Sequence, residues 1–138
     1  MLIIDSNIWA YYFDEDATEH RSVADKVEAA LTSQKIAINT VIIIEVAHFL
    51  IKNLGPMIGR NKLNLFLSFP FAVIDLDYDL TQKAIDLLAK YSHRGIGGRD
   101  ATILATAETL SLNEIMTHDQ AFKRVDWLKV IDPIPKQN

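Results

Sequence analysis

The feature that most constrains the fold is an alternation between short apolar runs and longer segments with helical periodicity. Five runs have the length of buried parallel strands and are rich in aliphatic side chains. They cover residues 2–4, 36–38, 72–74, 114–116 and 128–131. Because parallel strands must be joined by crossovers, this alternation predicts an α/β fold with a mostly parallel sheet, covered by helices on both faces.

The segments between these runs repeat apolar residues at helical spacing. Single helices are predicted over residues 8–13, 20–31, 80–91 and 103–110. The crossover between the second and third strands is longer. An apolar helix opens at Thr40 and stops at the Gly55-Pro56 pair, and a second helix covers residues 58–66. This crossover is therefore expected to contain two consecutive helices.

Length and composition limit the class of protein. The chain has 138 residues, 49% of them hydrophobic and 23% charged, which predicts one globular domain over residues 1–138. It has no cysteine, which excludes disulfides, thiolate nucleophiles and Cys-ligated metal. No uninterrupted apolar run reaches the roughly 18 residues of a membrane span. The opening residues MLIIDSN lack a basic leader. We therefore expect a cytoplasmic protein with no membrane partner.

The charge balance alone does not favour a nucleic-acid-binding protein. Eighteen acidic and 14 basic residues give a net charge of −4, whereas such proteins usually carry a basic excess. The balance changes if several carboxylates converge on one metal ion, because their charge is then neutralised locally. The positions of the acids consequently matter more than their number.

Three acidic residues follow predicted strands or open a predicted helix. Asp5 directly follows the first strand, Asp119 comes soon after the fourth, and Asp100 opens a helix after a glycine-bearing loop. Each has a structural explanation, since Asp caps helices and suits their first turn. Thr117 and Gln120 also have the spacing of a capping box. In open α/β sheets, however, ligands bind beyond the carboxyl ends of the strands.

Glu45 is the sharpest single signal, because its neighbours within residues 41–51 are almost all apolar. A helix that is apolar all round is expected to be largely buried, and a buried, unpaired carboxylate is strongly destabilising. Glu45 then needs a cation, a proton or a metal ion as partner. The alternative is a Glu at the one solvent-facing edge of the helix, paired with Arg or Lys.

All four acids can face the same end of the sheet. Clustered carboxylates repel and raise one another's pKa, so such a cluster needs cations. Ligands that are all oxygen select hard ions such as Mg²⁺ or Mn²⁺, which bridge phosphate oxygens and lower the pKa of an attacking water. The pattern therefore indicates chemistry on a phosphodiester.

The same residues resemble those of a known family, the PIN-domain ribonucleases. The motifs that carry the resemblance are Asp5-Ser6-Asn7, the lone Glu45, DATILATA from Asp100, and Thr117-His118-Asp119-x-x-Phe122. They occur in the order and at the intervals usual for that family, and the resemblance covers essentially the whole chain. The chain length is most similar to the VapC-type toxins of prokaryotic toxin–antitoxin pairs.

The resemblance implies a three-layer α/β/α sandwich with a central five-stranded parallel sheet. It also implies endonuclease cleavage of RNA that depends on Mg²⁺, with Mn²⁺ as a substitute. Carried over by position, Asp5, Glu45, Asp100 and Asp119 would be both the catalytic residues and the metal ligands.

The resemblance further implies supporting residues and partners. Asn7 and Thr117 would hydrogen-bond the metal-binding carboxylates or water. Family toxins are commonly homodimers that an antitoxin protein silences. Arg94 and Arg99, which flank a glycine-bearing loop, are candidates for binding RNA phosphates. His118 is interpreted as a solvent-facing turn residue.

A function of another class stays open at this point. The chain could be a PIN-fold module without catalysis that binds proteins through its apolar helices. The acidic residues argue against it, because a scaffold has little reason to keep mutually repelling carboxylates.

Overall fold

A computed structural model describes residues 1–136, which contain five strands and five α-helices. The strands are Leu2–Ile4 (β1), Ile36–Asn39 (β2), Ala72–Ile74 (β3), Glu114–Met116 (β4) and Lys129–Ile131 (β5). The helices are Ser6–Phe13 (α1), His20–Ser33 (α2), Thr40–Leu67 (α3), Tyr78–Tyr91 (α4) and Gly98–Thr109 (α5). Short 3-10 helices cover Ser92–Arg94 and Gln120–Arg124. The last two residues of the predicted domain, Gln137 and Asn138, lie outside the described residues.

The five strands form one sheet in the order β3-β2-β1-β4-β5, and every neighbouring pair is parallel. The predicted α/β fold with a five-stranded parallel sheet is thus confirmed. The chain adds β2 and β3 on one side of β1, and then β4 and β5 on the other. The strand order therefore reverses at β1 and β4, whose carboxyl ends form the crevice where such sheets bind ligands.

The helices form two groups, which cover the two faces of the sheet. α1 packs against α2 and α3, whereas α4 packs against α5. The first group connects β1 to β2 and β2 to β3, and the second connects β3 to β4 across the sheet in the opposite direction. Right-handed crossovers that run in opposite directions lie on opposite faces, which gives the three layers.

The core fixes the end of β1 in place. All three residues of β1 are fully buried, as expected of a central strand in a parallel sheet. Trp9 of α1 is also fully buried, and its indole Nε1 donates to the Ile4 carbonyl over 3.2 Å. Its ring packs edge-to-face against Phe66 and Phe71, at centroid distances of 5.1 and 5.3 Å. These contacts anchor α1 directly beyond the carboxyl end of β1.

α3 is broken where the sequence predicts two helices. Gly55 has a φ of +84° and a ψ of 166°, which interrupts the helix immediately before Pro56. A Cβ added to Gly59 would lie 2.5 Å from the Leu50 carbonyl oxygen, so the second half passes close to the first. Only a glycine fits this approach.

The prediction that the Glu45 helix is largely buried is wrong. Ile42, Val46 and Leu50 are buried, but Ile44 is 69% exposed and Ile51 is 37% exposed. The sheet meets only one face of α3, so composition overestimates its burial. By length and composition alone α3 could also cross a membrane, although the break at Gly55 divides it into two shorter helices.

Candidate functional site

Asp5 lies at the centre of the crevice, at the carboxyl end of β1. Its side chain is fully buried and caps α1, with Oδ1 accepting the Ser6 N–H over 2.7 Å. Its second oxygen, Oδ2, accepts from the Thr117 hydroxyl over 2.8 Å and from Asn7 Nδ2 over 3.2 Å. Asp5 is thus both the predicted N-cap and the most enclosed carboxylate of the site.

Arg99 joins Asp5 to two other acids. Its Nη2 donates to Asp5 Oδ1 over 2.9 Å, its Nε to Glu45 Oε2 over 2.5 Å, and its Nη1 to Asp100 Oδ1 over 2.8 Å. One guanidinium therefore binds carboxylates from the end of β1, from α3 and from the first turn of α5. We call Asp5, Glu45, Asp100 and Arg99 the acidic cluster.

Glu45 and Asp100 reach the cluster from the surface of the crevice. The Glu45 side chain is 31% exposed and pairs with Arg99, which matches the alternative of a solvent-edge Glu with a basic partner. Asp100 Oδ2 also accepts the Gly97 N–H over 3.2 Å, so this residue caps α5 while its other oxygen faces Arg99. Its capping role and its place in the cluster are compatible.

Asp119 lies beside the cluster, connected to it through Thr117. Its Oδ1 caps the following 3-10 helix by accepting the Ala121 N–H, and its own N–H donates to Thr117 Oγ1 over 3.1 Å. The capping-box explanation of Thr117 and Gln120 is wrong, because Asp119 is the N-cap of this 3-10 helix and the buried Thr117 hydroxyl donates to Asp5. In the structure, three of the four predicted acids bind the Arg99 guanidinium. The fourth, Asp119, is linked to them through Thr117, which also hydrogen-bonds Asp5.

The electrostatics of the cluster are dominated by burial and by Arg99. Burial raises the pKa of the Asp5 carboxyl above its usual value, and the Arg99 charge and the Thr117 and Ser6 hydrogen bonds only partly oppose this. Burial also acts against the charge of Arg99, but Asp5 and the other carboxylates outweigh it and raise the pKa of the guanidinium. Three carboxylates surround one guanidinium, so a single positive charge does not balance the acidic groups and a further cation would be attracted to the cluster.

The donors of the cluster fit a hard divalent cation. They are carboxylate oxygens on three separate elements, already turned toward one positive charge. Within residues 1–136, no three acidic or His side chains are arranged to hold a metal directly. The guanidinium explains this, because it holds each carboxylate on a different nitrogen.

Two predicted substrate residues have different surroundings. Arg99, expected on the RNA, lies within the cluster. Arg94 donates to the Arg124 carbonyl and pairs with Asp126 over 2.9 Å. It contacts none of the three clustered acids.

Ser6 and His118 have contacts at the site that the sequence does not predict. The Ser6 hydroxyl contacts Glu45 Oε1 over 3.3 Å and accepts from Arg99 Nη2 over 3.2 Å. Its position inside the Asp5-Ser6-Asn7 motif was the available signal. The His118 ring, interpreted as a solvent-facing turn residue, is partly buried with Nδ1 3.0 Å from Asp132, a pairing that no local pattern indicates.

An open groove leads away from the cluster between α1 and α3. Its lining residues are Ser6, Asn7, Ala10, Glu45, His48, Phe49, Lys52 and Asn53. The groove is therefore acidic and polar near the cluster, and Lys52 places a positive charge farther along α3.

Comparison with known proteins agrees with the α/β fold and its five-stranded parallel sheet. The PIN domain family model matches residues 2–128. The chain belongs to the PIN domain family. A curated relative of this PIN domain is Ribonuclease VapC2 of Methanocaldococcus jannaschii, which is 28% identical over 147 aligned positions. The alignment covers 95% of this chain and 93% of that relative.

Solved structures share the fold of this PIN domain. A toxin–antitoxin complex from Klebsiella pneumoniae superimposes with a TM-score of 0.72 at 24% identity, covering 96% of this chain and 98% of the other. VapBC2 from Rickettsia felis, bound to a promoter DNA fragment, gives 0.74 at 23% identity, covering 94% and 96%. Mycobacterium tuberculosis VapC20, described as a toxin that cleaves the sarcin–ricin loop, gives 0.73 at 16% identity, covering 83% and 87%.

Proposed function

We propose that this PIN domain is a divalent-metal-dependent endoribonuclease and the toxin of a toxin–antitoxin pair. The observation that carries the proposal is the convergence of Asp5, Glu45 and Asp100 on one cation position at the strand-order reversal. The relative named Ribonuclease VapC2, aligned over nearly the full chain, supports the choice of RNA as substrate.

The acids would hold Mg²⁺ or Mn²⁺, with Asp119 completing the set beside Thr117. When bound, such an ion supplies Lewis-acid polarisation of the phosphodiester and a more acidic attacking water. The chain itself orients the ligands. Thr117 and Asn7 fix Asp5 Oδ2, which leaves Oδ1 facing the crevice. Outer hydrogen bonds of this kind commonly tune metal affinity and activity.

The groove between α1 and α3 is proposed as the path of the RNA. Lys52 and the polar side chains of Asn7 and Asn53 line it, and they can contact phosphates without selecting a base sequence. The net charge of −4 makes this binding depend on the bound metal and on local basic residues.

The partners proposed are a cognate antitoxin protein and a second copy of this chain, in the cytoplasm. Structures with the same fold include complexes of toxin with antitoxin, which supports the first partner. The exposed apolar residues of α3, such as Ile44, Met57 and Ile58, offer surface for assembly.

The rival function, a catalytically silent binding module, is favoured by one observation. Arg99 already compensates the clustered acids, so these residues can be kept for structure alone. The sequence-based argument that a scaffold would not keep repelling carboxylates therefore loses force. Metal binding and RNA cleavage must separate the two functions.

The test is thermal unfolding of EDTA-treated protein titrated with Mg²⁺ and Mn²⁺, together with cleavage of a single-stranded RNA. Metal at about 100 times its Kd should stabilise the native state by about 2.7 kcal/mol. Glu45→Gln should remove this gain and the cleavage. The matched control is Glu108→Gln, which removes the same charge from an exposed position at the far end of α5 and should retain both.

Either of two results would contradict the proposal. One is RNA cleavage that continues unchanged in EDTA, which would exclude metal dependence. The other is the absence of both stabilisation and cleavage at millimolar metal with RNA present, which would favour the binding module.

A further inference from the structure

Arg99 occupies the carboxylate oxygens that the proposed metal site needs. Its three donor nitrogens reach Asp5 Oδ1 at 2.9 Å, Glu45 Oε2 at 2.5 Å and Asp100 Oδ1 at 2.8 Å. No two of these contacts share a nitrogen. All three nitrogens of the guanidinium are thus used inside the cluster, and Nη2 also donates to the Ser6 hydroxyl over 3.2 Å.

The remaining oxygens of two of these acids are engaged elsewhere. Asp5 Oδ2 accepts from the Thr117 hydroxyl, and Asp100 Oδ2 accepts the Gly97 N–H. A metal ion that binds Asp5 and Asp100 through their other oxygens therefore competes with Arg99 for Oδ1 of both residues. Direct bonds to Mg²⁺ are about 2.1 Å long. An ion so close to these oxygens would lie beside the guanidinium, where like charges in a half-buried site repel strongly.

The surroundings allow the side chain to leave while its helix stays in place. The Arg99 side chain is 30% exposed. A Cβ added at the adjacent Gly98 would meet nothing within 4 Å, so the space beside the start of α5 is open. The backbone is fixed separately, because the Thr102 hydroxyl donates to the Arg99 carbonyl over 2.7 Å. Rotation of one side chain is therefore enough to release the three oxygens.

We propose that Arg99 is a built-in counter-cation, which holds the metal's ligands in the metal-free protein and is displaced when the divalent ion binds. This inference rests on the proposed metal site. In the metal-free state the guanidinium keeps the carboxylates together, because it offsets their repulsion. The apparent metal affinity is in turn lowered by the fraction of molecules in which Arg99 still occupies the site.

The first measurement is the Kd for Mn²⁺ of the full chain, obtained from the electron paramagnetic resonance signal of free Mn²⁺. Arg99→Gln should bind Mn²⁺ more tightly than the unmodified chain, by about tenfold or more. The matched control is Arg94→Gln, which removes the same charge five residues earlier in the chain. Arg94 pairs with Asp126 and not with the clustered acids. Its Kd should change by less than about twofold, since exposed pairs contribute little.

The second measurement follows Arg99 itself in the unmodified chain, so it does not depend on the folding of a variant. The Nε–H resonance of Arg99 is identified by its absence in the Arg99→Gln spectrum or by assignment through the side chain. In EDTA it should show the slow exchange of a proton bonded to Glu45, and saturation with Mg²⁺ should move it to the position of a solvated guanidinium.

The outcomes separate this inference from the proposed function. Equal Mn²⁺ affinities for Arg99→Gln and the unmodified chain, or equal gains in both arginine variants, would overturn the role of Arg99 alone. So would an Nε–H resonance that stays in place while Mg²⁺ binds. If no form of the protein binds Mn²⁺, the metal site itself is wrong, and the inference fails with it.

Discussion

The neighbouring strands β1 and β2 are both followed by a helix that a buried polar side chain caps, but one of these side chains is charged and the other is neutral. Asp5 follows β1 and Asn39 ends β2, both are fully buried, and each caps the helix that follows its strand. Asn39 Oδ1 accepts the Ile42 N–H over 2.9 Å. Its Nδ2 donates to the hydroxyls of Thr102 and Thr106. Every polar group of Asn39 is thus satisfied within the protein.

Asp5 differs from Asn39 by one negative charge, which hydrogen bonds from neutral groups do not neutralise. Its carboxylate needs a cation, and the nearest one is Arg99, which reaches it from a partly exposed position. The Asn39 amide instead donates to the hydroxyls of Thr102 and Thr106, which themselves donate to backbone carbonyls. The neutral amide of Asn39 is fully hydrogen-bonded by neutral groups. The Asp5 carboxylate at the equivalent position needs a cation, and a metal ion can replace Arg99 in that role.

The largest effect is expected from making the two strand ends alike. Asp5→Asn removes the most enclosed ligand, and we expect it to slow RNA cleavage by about a thousandfold, because metal stabilisation of the transition state contributes several kcal/mol. The native fold should persist, with a loss of about 1 kcal/mol for the altered hydrogen bonds. Cleavage kinetics and thermal unfolding of the same sample test this. Cleavage at the unmodified rate would show that Asp5 is only a cap.

The reverse exchange should damage stability instead. Asn39→Asp buries a carboxylate with no cation beside it, and should lower the free energy of unfolding by about 3 kcal/mol at pH 7. Burial raises the native pKa of the new acid above its unfolded value, so the loss should shrink as pH falls through that native pKa. Urea unfolding at several pH values measures this, with Asn53→Asp at an exposed position of α3, the helix that Asn39 caps, as control. Similar losses in the two variants would contradict the comparison.

Removing one threonine hydroxyl that contacts each strand-end side chain should distinguish a loss of stability from a loss of metal affinity. Thr106→Val leaves Asn39 Nδ2 short of an acceptor and should cost about 1–2 kcal/mol of stability without changing the Kd for Mn²⁺. Thr117→Val removes the donor to Asp5 Oδ2 and should, in addition, weaken Mn²⁺ binding by about tenfold. Thermal unfolding and Mn²⁺ titration of both variants test this. Equal metal affinities would remove Thr117 from the site.

The smallest effect is expected at a third strand end, where Asp132 follows β5. Burial alone would raise its pKa, but the Ile134 N–H and the Lys123 and His118 side chains outweigh burial and lower it. The native state therefore binds this proton less readily than the unfolded chain does, and the stabilisation is present at neutral pH and lost as pH falls through the lowered pKa. Asp132→Asn should cost about 1 kcal/mol or less at pH 7. Its deficit should disappear in unfolding curves measured at pH values below the lowered pKa, and a constant deficit would contradict this.

Most of the sheet could be predicted from the sequence, because buried parallel strands need uninterrupted apolar residues. The runs at residues 2–4, 72–74 and 114–116 match β1, β3 and β4 at both ends. β2 extends one residue further, to Asn39, because this polar residue still pairs with Ile74. Apolarity alone gave no sign that an amide belongs to the buried strand.

The candidate site could be predicted only in part. Local spacing located Asp5, Asp100 and Asp119 near strand ends and helix starts, since caps and ligands use the same positions. Sequence could not show that Arg99 pairs with Asp5 and Glu45, because these contacts span 94 and 54 residues. It also overestimated the burial of the helix that carries Glu45.

Local sequence is enough to predict the order of strands and helices, the break at Gly55-Pro56 and the position of the acids at the carboxyl ends of the strands. These features follow from local periodicity, backbone freedom and capping, which depend on near neighbours. The hydrogen bonds from Asn39 to two threonines, and the arginine that Asp5 shares with two other acids, arise from the packing of distant segments. Hydrogen bonding and charge pairing depend on distances in space, and residues far apart in sequence supply them here.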